Sequence, residues 1–267
     1  MRRPPGWRAA ALAVLLAGPV PLASRGGPSQ NAAHGRSVRD GGIVRGPTAG
    51  RRIALEFTGH EFAEGGAVTL DALAARGARA SFFLTGDFLR TPAFAPLVRR
   101  IVAEGHYLGP HSDKHLLYCD WEARDKTLVT KDAFTRDVEE NLRAIEAFGV
   151  PRAAVRYWVP AYEWYNAEVA RWSAELGLTL VNFTPGTRSN ADYTGEADRR
   201  FVPSQRIIDS ILAREREDTD GLNGFLLLLH IGAGPGRADK MHDRLGELLD
   251  ALLARGYRFV RVDELLR

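Results

Sequence analysis

The run Ala80-Ser81-Phe82-Phe83-Leu84-Thr85-Gly86 and, twenty residues on, Gly105-His106-Tyr107-Leu108-Gly109-Pro110-His111-Ser112-Asp113-Lys114-His115 decide the fold. The first is a short apolar, β-prone segment closed by glycine. Between the two, Leu97, Ile101 and Val102 recur at helical spacing up to Gly105. The stretch therefore reads strand, helix, strand, with two histidines at the carboxyl end of the second strand. Parallel α/β proteins gather their chemistry at that edge, where loops converge and helix amino termini point inward. His111 and His115 sit on one stiff piece of backbone and would present two neutral imidazole nitrogens to a divalent metal such as zinc, which binds nitrogen at about 2.0–2.1 Å. Surface histidines at this spacing are also common, so the surroundings must carry the reading.

Outward from this stretch, strand and helix patterns alternate. Strands are expected at 53–57, 80–84, 107–108, 155–159, 178–183, 225–229 and 257–260. Helices are expected at 68–76, 93–103, 131–148, 166–176, 204–214 and 239–255, several of them stopped by glycine. Such alternation predicts a parallel sheet covered by helices. About seven strands fit an irregular (β/α) barrel better than an open sheet.

The chain has 267 residues, enough for one large α/β domain. Its net charge of +3 invites a nucleic-acid partner, but seven Arg and one Asp lie in residues 1–50. The remainder holds 29 basic and 32 acidic residues, which removes the main support for nucleic-acid binding. Arg2, Arg3 and Arg8 precede the apolar stretch Ala9–Ala17, too short for a membrane span, so residues 1–24 read as a secretory signal peptide and the chain as exported, periplasmic or extracellular. Residues 25–50 are rich in Gly, Pro, Ser, Asn and Arg and read as a flexible linker, placing the single domain at 51–267. Cys119 is the only cysteine, which excludes an internal disulfide and a thiolate cluster; its apolar neighbours suit a buried thiol better than a nucleophile. The residues assign no oligomeric state.

The polar loops after the strands contain Thr58-Gly59-His60-Glu61, His111 to His115, Pro160-Ala161-Tyr162-Glu163-Trp164, Thr184-Pro185-Gly186-Thr187 and His230. Four of the seven histidines thus collect at strand ends. Over most of 51–267 these residues resemble the polysaccharide deacetylases of the chitin and peptidoglycan deacetylase type. Residues 80–86 and 105–115 are close to that family's A-T-F-F-x-x-G and G-H-E-I-G-x-H-(S/T)-x-x-H. The resemblance implies a distorted (β/α) barrel, a zinc-like metal held by the two histidines and an aspartate, and removal of N- or O-acetyl groups from glycans. It also implies a general-acid role for His230 in Leu-Leu-Leu-Leu-His.

The chain departs from the family in two places. The T-F-D-D-G motif, which holds a catalytic base and a metal aspartate, corresponds to Glu56-Phe57-Thr58-Gly59-His60-Glu61-Phe62, and neither aspartate is present. R-P-P-Y-G-x-x-N corresponds to Val159-Pro160-Ala161-Tyr162-Glu163-Trp164-Tyr165-Asn166, with valine for arginine and glutamate for glycine. Two arrangements remain open. His60 completes three imidazoles and Glu61 or Glu163 is the base, the arrangement preferred because Glu163 supplies a spare carboxylate; or Glu61 ligates the metal and His60 takes the proton. Tyr162 and Trp164 would stack on sugar, and Asp113 would bind substrate, metal or an imidazole. The expected partner is an acetylated polysaccharide or oligosaccharide. The rivals are a carbohydrate-binding barrel that has lost catalysis and a metal-dependent hydrolase of a C–N bond on a small molecule.

Overall fold

The computed structural model describes residues 29–31 and 35–267. The expected signal peptide, 1–24, lies outside the described residues. Three short strands come first: β1 Ser29–Asn31, β2 Arg36–Arg39 and β3 Gly42–Arg45, paired antiparallel in that order. Seven further strands follow, β4 Arg52–Gly59, β5 Ser81–Leu84, β6 Tyr107–Pro110, β7 Tyr157–Trp158, β8 Thr179–Leu180, β9 Leu226–His230 and β10 Arg258–Val260. The helices between and after them are α1 Gly66–Ala74, α2 Gly86–Arg90, α3 Ala95–Ala103, α4 Lys131–Glu146, α5 Ala167–Glu175, α6 Ser204–Glu217, α7 Leu245–Leu253 and α8 Val262–Leu265. None of the helices among the described residues is long and apolar enough to cross a membrane.

All pairings among β4 to β10 are parallel, and β4 is the hub, joined to β5, β9 and β10. The sheet closes on itself through single backbone bonds: Val159 N to Pro110 O links β7 to β6, Val181 N to Trp158 O links the end of β8 to β7, and Thr184 N to Leu226 O reaches β9. This is the irregular barrel that the alternation predicts. Successive side chains of a strand face opposite ways, so the strands feed two apolar clusters. Ala54, Phe83, Val159, Val181, Leu226 and Leu228 fill the barrel, whereas Leu55, Phe57, Phe82 and Leu229 meet Leu70, Val98, Ile101, Phe134 and Leu248 of the helices. With both faces covered, β9 is apolar along its whole buried length before it delivers His230 to the rim.

The expected linker needs correction. From Arg36 onward it is a hairpin, turned at Asp40 and Gly41 with φ of 46° and 84°. Ile43 and Val44 are buried, Asn182 N donates to Ile43 O at 2.8 Å, and the Tyr165 hydroxyl donates to Arg39 O at 2.9 Å. The ordered body therefore begins before residue 51.

Candidate active site

The carboxyl ends of β4, β6, β7 and β9 surround a cavity of about 440 Å³ lined by His60, Glu61, His111, His115, Tyr162, Glu163 and His230. Thus seven of the nine residues expected at the site meet in one place.

The histidine loop is held from behind by α4. Asn141 accepts from His111 N at 2.8 Å and donates to Leu84 O at 3.1 Å, tying the loop to β5. The Asp137 carboxylate accepts from Asp113 N and Lys114 N, both at 3.0 Å, and from the Tyr118 hydroxyl at 2.6 Å. These bonds hold a loop in which Ser112 and His115 take left-handed φ of 73° and 54°, uncommon for residues other than glycine. His111 Nδ1 donates to Val159 O at 2.9 Å, so its Nε2 keeps a free lone pair toward the cavity. Burial, and then the neighbouring His115, hold His111 well below the ordinary histidine range. Burial followed by His60 and His230 takes His115 down to about 3. Both are therefore neutral at physiological pH, the state in which an imidazole ligates a metal.

The His111 and His115 rings lie 5.3 Å apart between centroids and are tilted by 59°, so their planes intersect. His60 stands differently: its ring is stacked on His115 at 4.5 Å with only 7° between planes, and its Nδ1 bonds Thr85 Oγ1 at 3.1 Å. Imidazole lone pairs lie in the ring plane, and two stacked, nearly parallel planes do not meet at ligand distance. His60 and His115 as they stand therefore cannot share an ion, which corrects the three-imidazole arrangement. Among the described residues no three His, Cys, Asp or Glu side chains are placed to enclose a metal. The pair His111 and His115 fits as two neutral donors, and the set with His60 does not.

Glu163 and Glu61 also separate. Glu61 is exposed on the rim. Glu163 turns inward, its side chain 12% exposed and Oε1 3.8 Å from His111 Nε2. Burial raises its carboxyl to about 7, with Asp192 adding to the rise and His230 opposing it. Tyr162 and Glu163 both have left-handed backbone, φ 60° and 51°, and Asn182 Nδ2 pins the Glu163 carbonyl at 2.7 Å. The loop thus keeps a conformation that suits glycine while carrying a carboxylate, a strain of the order of 1–3 kcal/mol per residue that the surrounding bonds must offset.

His230 has a partner that the sequence did not mark. Asp192 Oδ1 lies 2.6 Å from His230 Nδ1, and its Oδ2 accepts from His230 N at 2.8 Å. Burial alone would lower this imidazole, but Asp192, and after it Glu163, raise it above the ordinary value. Under the cavity floor, Glu56 of β4 is fully buried with both carboxyl oxygens unpartnered; burial, and then Glu163, push it to about 8, so it is neutral at pH 7.

Two expectations for substrate contact fail. Asp113 is buried outside the cavity and accepts from Arg90 Nη2 of α2 at 2.8 Å, its carboxylate lying over Gly86, where any Cβ would come within 1.7 Å of Oδ1. Trp164 packs under Arg124, 4.2 Å from guanidinium carbon to ring centroid, and donates its Nε1 to Asp120 O at 3.0 Å. Its neighbour Trp121, 53% exposed, lines the cavity instead, edge-on to Tyr162, which is 43% exposed. Burial pushes the Cys119 thiol to about 11, in keeping with a structural role.

The sequence profile of the polysaccharide deacetylase family matches residues 45–181. A chitooligosaccharide deacetylase of Rhizobium leguminosarum bv. trifolii is 30% identical over 197 residues, covering 70% of this chain and 79% of the relative. The chain belongs to the polysaccharide deacetylase family. Among solved structures, the Bc1960 peptidoglycan N-acetylglucosamine deacetylase superposes with a TM-score of 0.67 at 22% identity, covering 84% of this chain and 91% of that one. A CE4 family pseudoenzyme from Bacillus anthracis superposes with a TM-score of 0.66 at 17% identity, covering 86% and 70%. At these identities the two structures speak for the fold alone.

Proposed function

We propose that this chain hydrolyses acetyl groups from N- or O-acetylated glycans, with Glu163 as general base and His230 as general acid. The observation that supports it is a buried carboxyl raised to about 7 in the same cavity as an imidazole that, against burial, is raised by Asp192 2.6 Å from its Nδ1. Ionised Glu163 draws a proton from the attacking water, and the protonated form of His230 gives one to the departing amine or alkoxide. Asp192 holds the His230 ring through Nδ1, leaving Nε2 free to face the leaving group. Tyr162 and Trp121 offer aromatic faces on which the apolar face of a pyranose can rest.

His111 and His115 would hold a divalent metal, zinc by the preference of neutral imidazoles. Such an ion, when bound, supplies Lewis-acid polarisation of the acyl oxygen. Glu61 is left on the rim, where it can meet bound glycan but not the proton taken from water. The curated relative named a chitooligosaccharide deacetylase favours an acetylated amino-sugar oligosaccharide as substrate. The Arg2 to Ala17 leader accords with export toward such polymers.

Zinc content of the purified protein, together with acetate released from N-acetylated chitooligosaccharides and acetylated xylan, tests this reading. Acetate from either glycan is expected. Glycan binding with no acetate from any of them would assign a carbohydrate-binding barrel instead.

A further inference from the structure

The catalytic cavity continues along the surface. Tyr193 and Arg200 line both the cavity and a neighbouring hollow of about 270 Å³. Arg188 lines both that hollow and a larger groove of about 730 Å³. The groove has an apolar floor of Phe201, Val202 and Pro203, and Arg188 and Arg206 stand on its rim with one carboxylate, Asp209. We propose that these three depressions form one cationic track for a carboxylate-bearing glycan, in which Arg188 and Arg206 bind acidic groups on sugars beyond the one being deacetylated. The inference rests on the glycan reading of the cavity.

The charge here is local, since residues 51–267 carry 29 basic and 32 acidic side chains. Two nearby cations are already engaged. Arg214 pairs with Asp218 at 2.6 Å, and Arg200 has Asp198 at 3.4 Å. Arg188 and Arg206 have no such partner among the described residues. Asp209 is itself engaged, accepting from Gln205 Nε2 at 2.8 Å. A neutral sugar would gain little from two free guanidinium groups, whereas a carboxylate can take two parallel N–H bonds from each.

The groove is also built rather than accidental. Arg237, fully buried, donates from Nη1 to Thr194 O and from Nη2 to Val202 O, both at 2.9 Å, and its guanidinium lies 4.9 Å from the Phe201 ring centroid. It thereby fixes the floor against the wall that leads back to Tyr193. An aromatic ring and a proline beside two cations suit a sugar whose apolar face lies down while its carboxylate reaches the rim.

The test compares KM and kcat for acetate release from three oligosaccharides. One is neutral N-acetylchitotetraose, one a muramic-acid tetrasaccharide with free lactyl carboxylates, and one an acetylated glucuronoxylan oligosaccharide. The two acidic arms separate lactyl from uronic carboxylates. Wild-type KM should be about three- to tenfold lower for at least one acidic substrate than for the neutral one, with the preference carried in KM rather than kcat. That preference should fall to about one in the Arg188→Gln/Arg206→Gln variant and in about 0.5 M salt, and should grow in Asp209→Asn. Equal KM for all three substrates, or a preference that neither the variant nor salt alters, overturns the proposal. If no substrate yields acetate, the hydrolase reading fails on its own, and equilibrium binding followed by Trp121 fluorescence still decides the track. Salt-sensitive preference for an acidic oligosaccharide that is lost in the double variant supports it, and equal binding overturns it.

Discussion

Replacing Asp192 with Asn should move the alkaline limb of the kcat–pH profile to lower pH. In the proposed reaction the acid form of His230 does the work, and Asp192 raises its pKa in the folded protein, so activity should be present below the raised value and be lost as pH rises through it. The carboxylate lies 2.6 Å from Nδ1 and also accepts from His230 N at 2.8 Å. A hydrogen bond to a charged group is worth about 1.5–3 kcal/mol. At about 1.36 kcal/mol per pH unit, the limb should shift down by about 1–2 units. Asn can accept from Nδ1 or turn its amide toward it, but it cannot serve both bonds, so the plateau should fall as well. The same linkage bears on stability: a group with a raised folded pKa stabilises fully below its unfolded value, near 6.5, and that contribution fades as pH rises through the folded value. The assay is initial-rate acetate release from acetylated chitooligosaccharides across pH for both proteins. An alkaline limb that stays put, with only the plateau lowered, would refute a protonated His230 as the acid.

Three further outcomes are expected. Gly59→Ala should destabilise by about 1–3 kcal/mol, because its Cβ would stand 2.6 Å from Ile231 Cγ2 and 2.9 Å from Leu84 Cδ2; calorimetry should show Tm lower by about 2–4 °C per kcal/mol, and no change would mean that those side chains yield freely. His60→Phe should keep the stack on His115 and leave zinc affinity near wild type in titration calorimetry, while His111→Ala should weaken it at least about tenfold; the reverse order would restore His60 as a ligand. Glu64 clamps the loop after β9, accepting from Ala233 N, Gly234 N and Lys240 Nζ. Burial opposes ionisation, but Lys240 and these N–H groups bring the carboxyl to about 2. Its stabilisation is therefore present above the ordinary value of 4.5 and is lost as pH falls toward 2, so Glu64→Gln at neutral pH should speed hydrogen exchange of residues 232–236; unchanged exchange would show that the clamp is idle.

Much of the barrel is legible in the sequence because its strands are buried on both faces and its helices end at glycines. Phe225 to Leu229 admits little but an interior strand, and the short spacing from His111 to His115 follows a strand end. The Arg36–Arg45 hairpin is hidden because three exposed or half-buried arginines mask its alternation, leaving only Asp40-Gly41 as a turn signal. The helices α2 and α8, five and four residues long, are too short to show a period.

At the site, residue types gave away the membership of the cavity but not the aim of each side chain. Adjacent residues 60 and 61 could each be named ligand or base from chemistry alone. What separates them is the stack of His60 on His115, its bond to Thr85 and the exposure of Glu61, all of them contacts between distant segments. Asp113 was drawn to Arg90 by an α2 that periodicity does not reveal. Trp164 and Trp121 are 43 residues apart, and only the packing of Trp164 against Arg124 decides which one lines the cavity. Asp192 sat in a polar loop with no periodic signal, so its pairing with His230 becomes visible only once the loop is folded over β9.

The rate of acetate release by Glu163→Gln, set beside that of Glu61→Gln, tests the placement of the base most directly. The inward position of Glu163 predicts that kcat falls by about 10²–10⁴ in the first variant and stays within a few-fold of wild type in the second. A near-normal rate in Glu163→Gln together with a collapse in Glu61→Gln would put the proton on the rim residue and contradict the account.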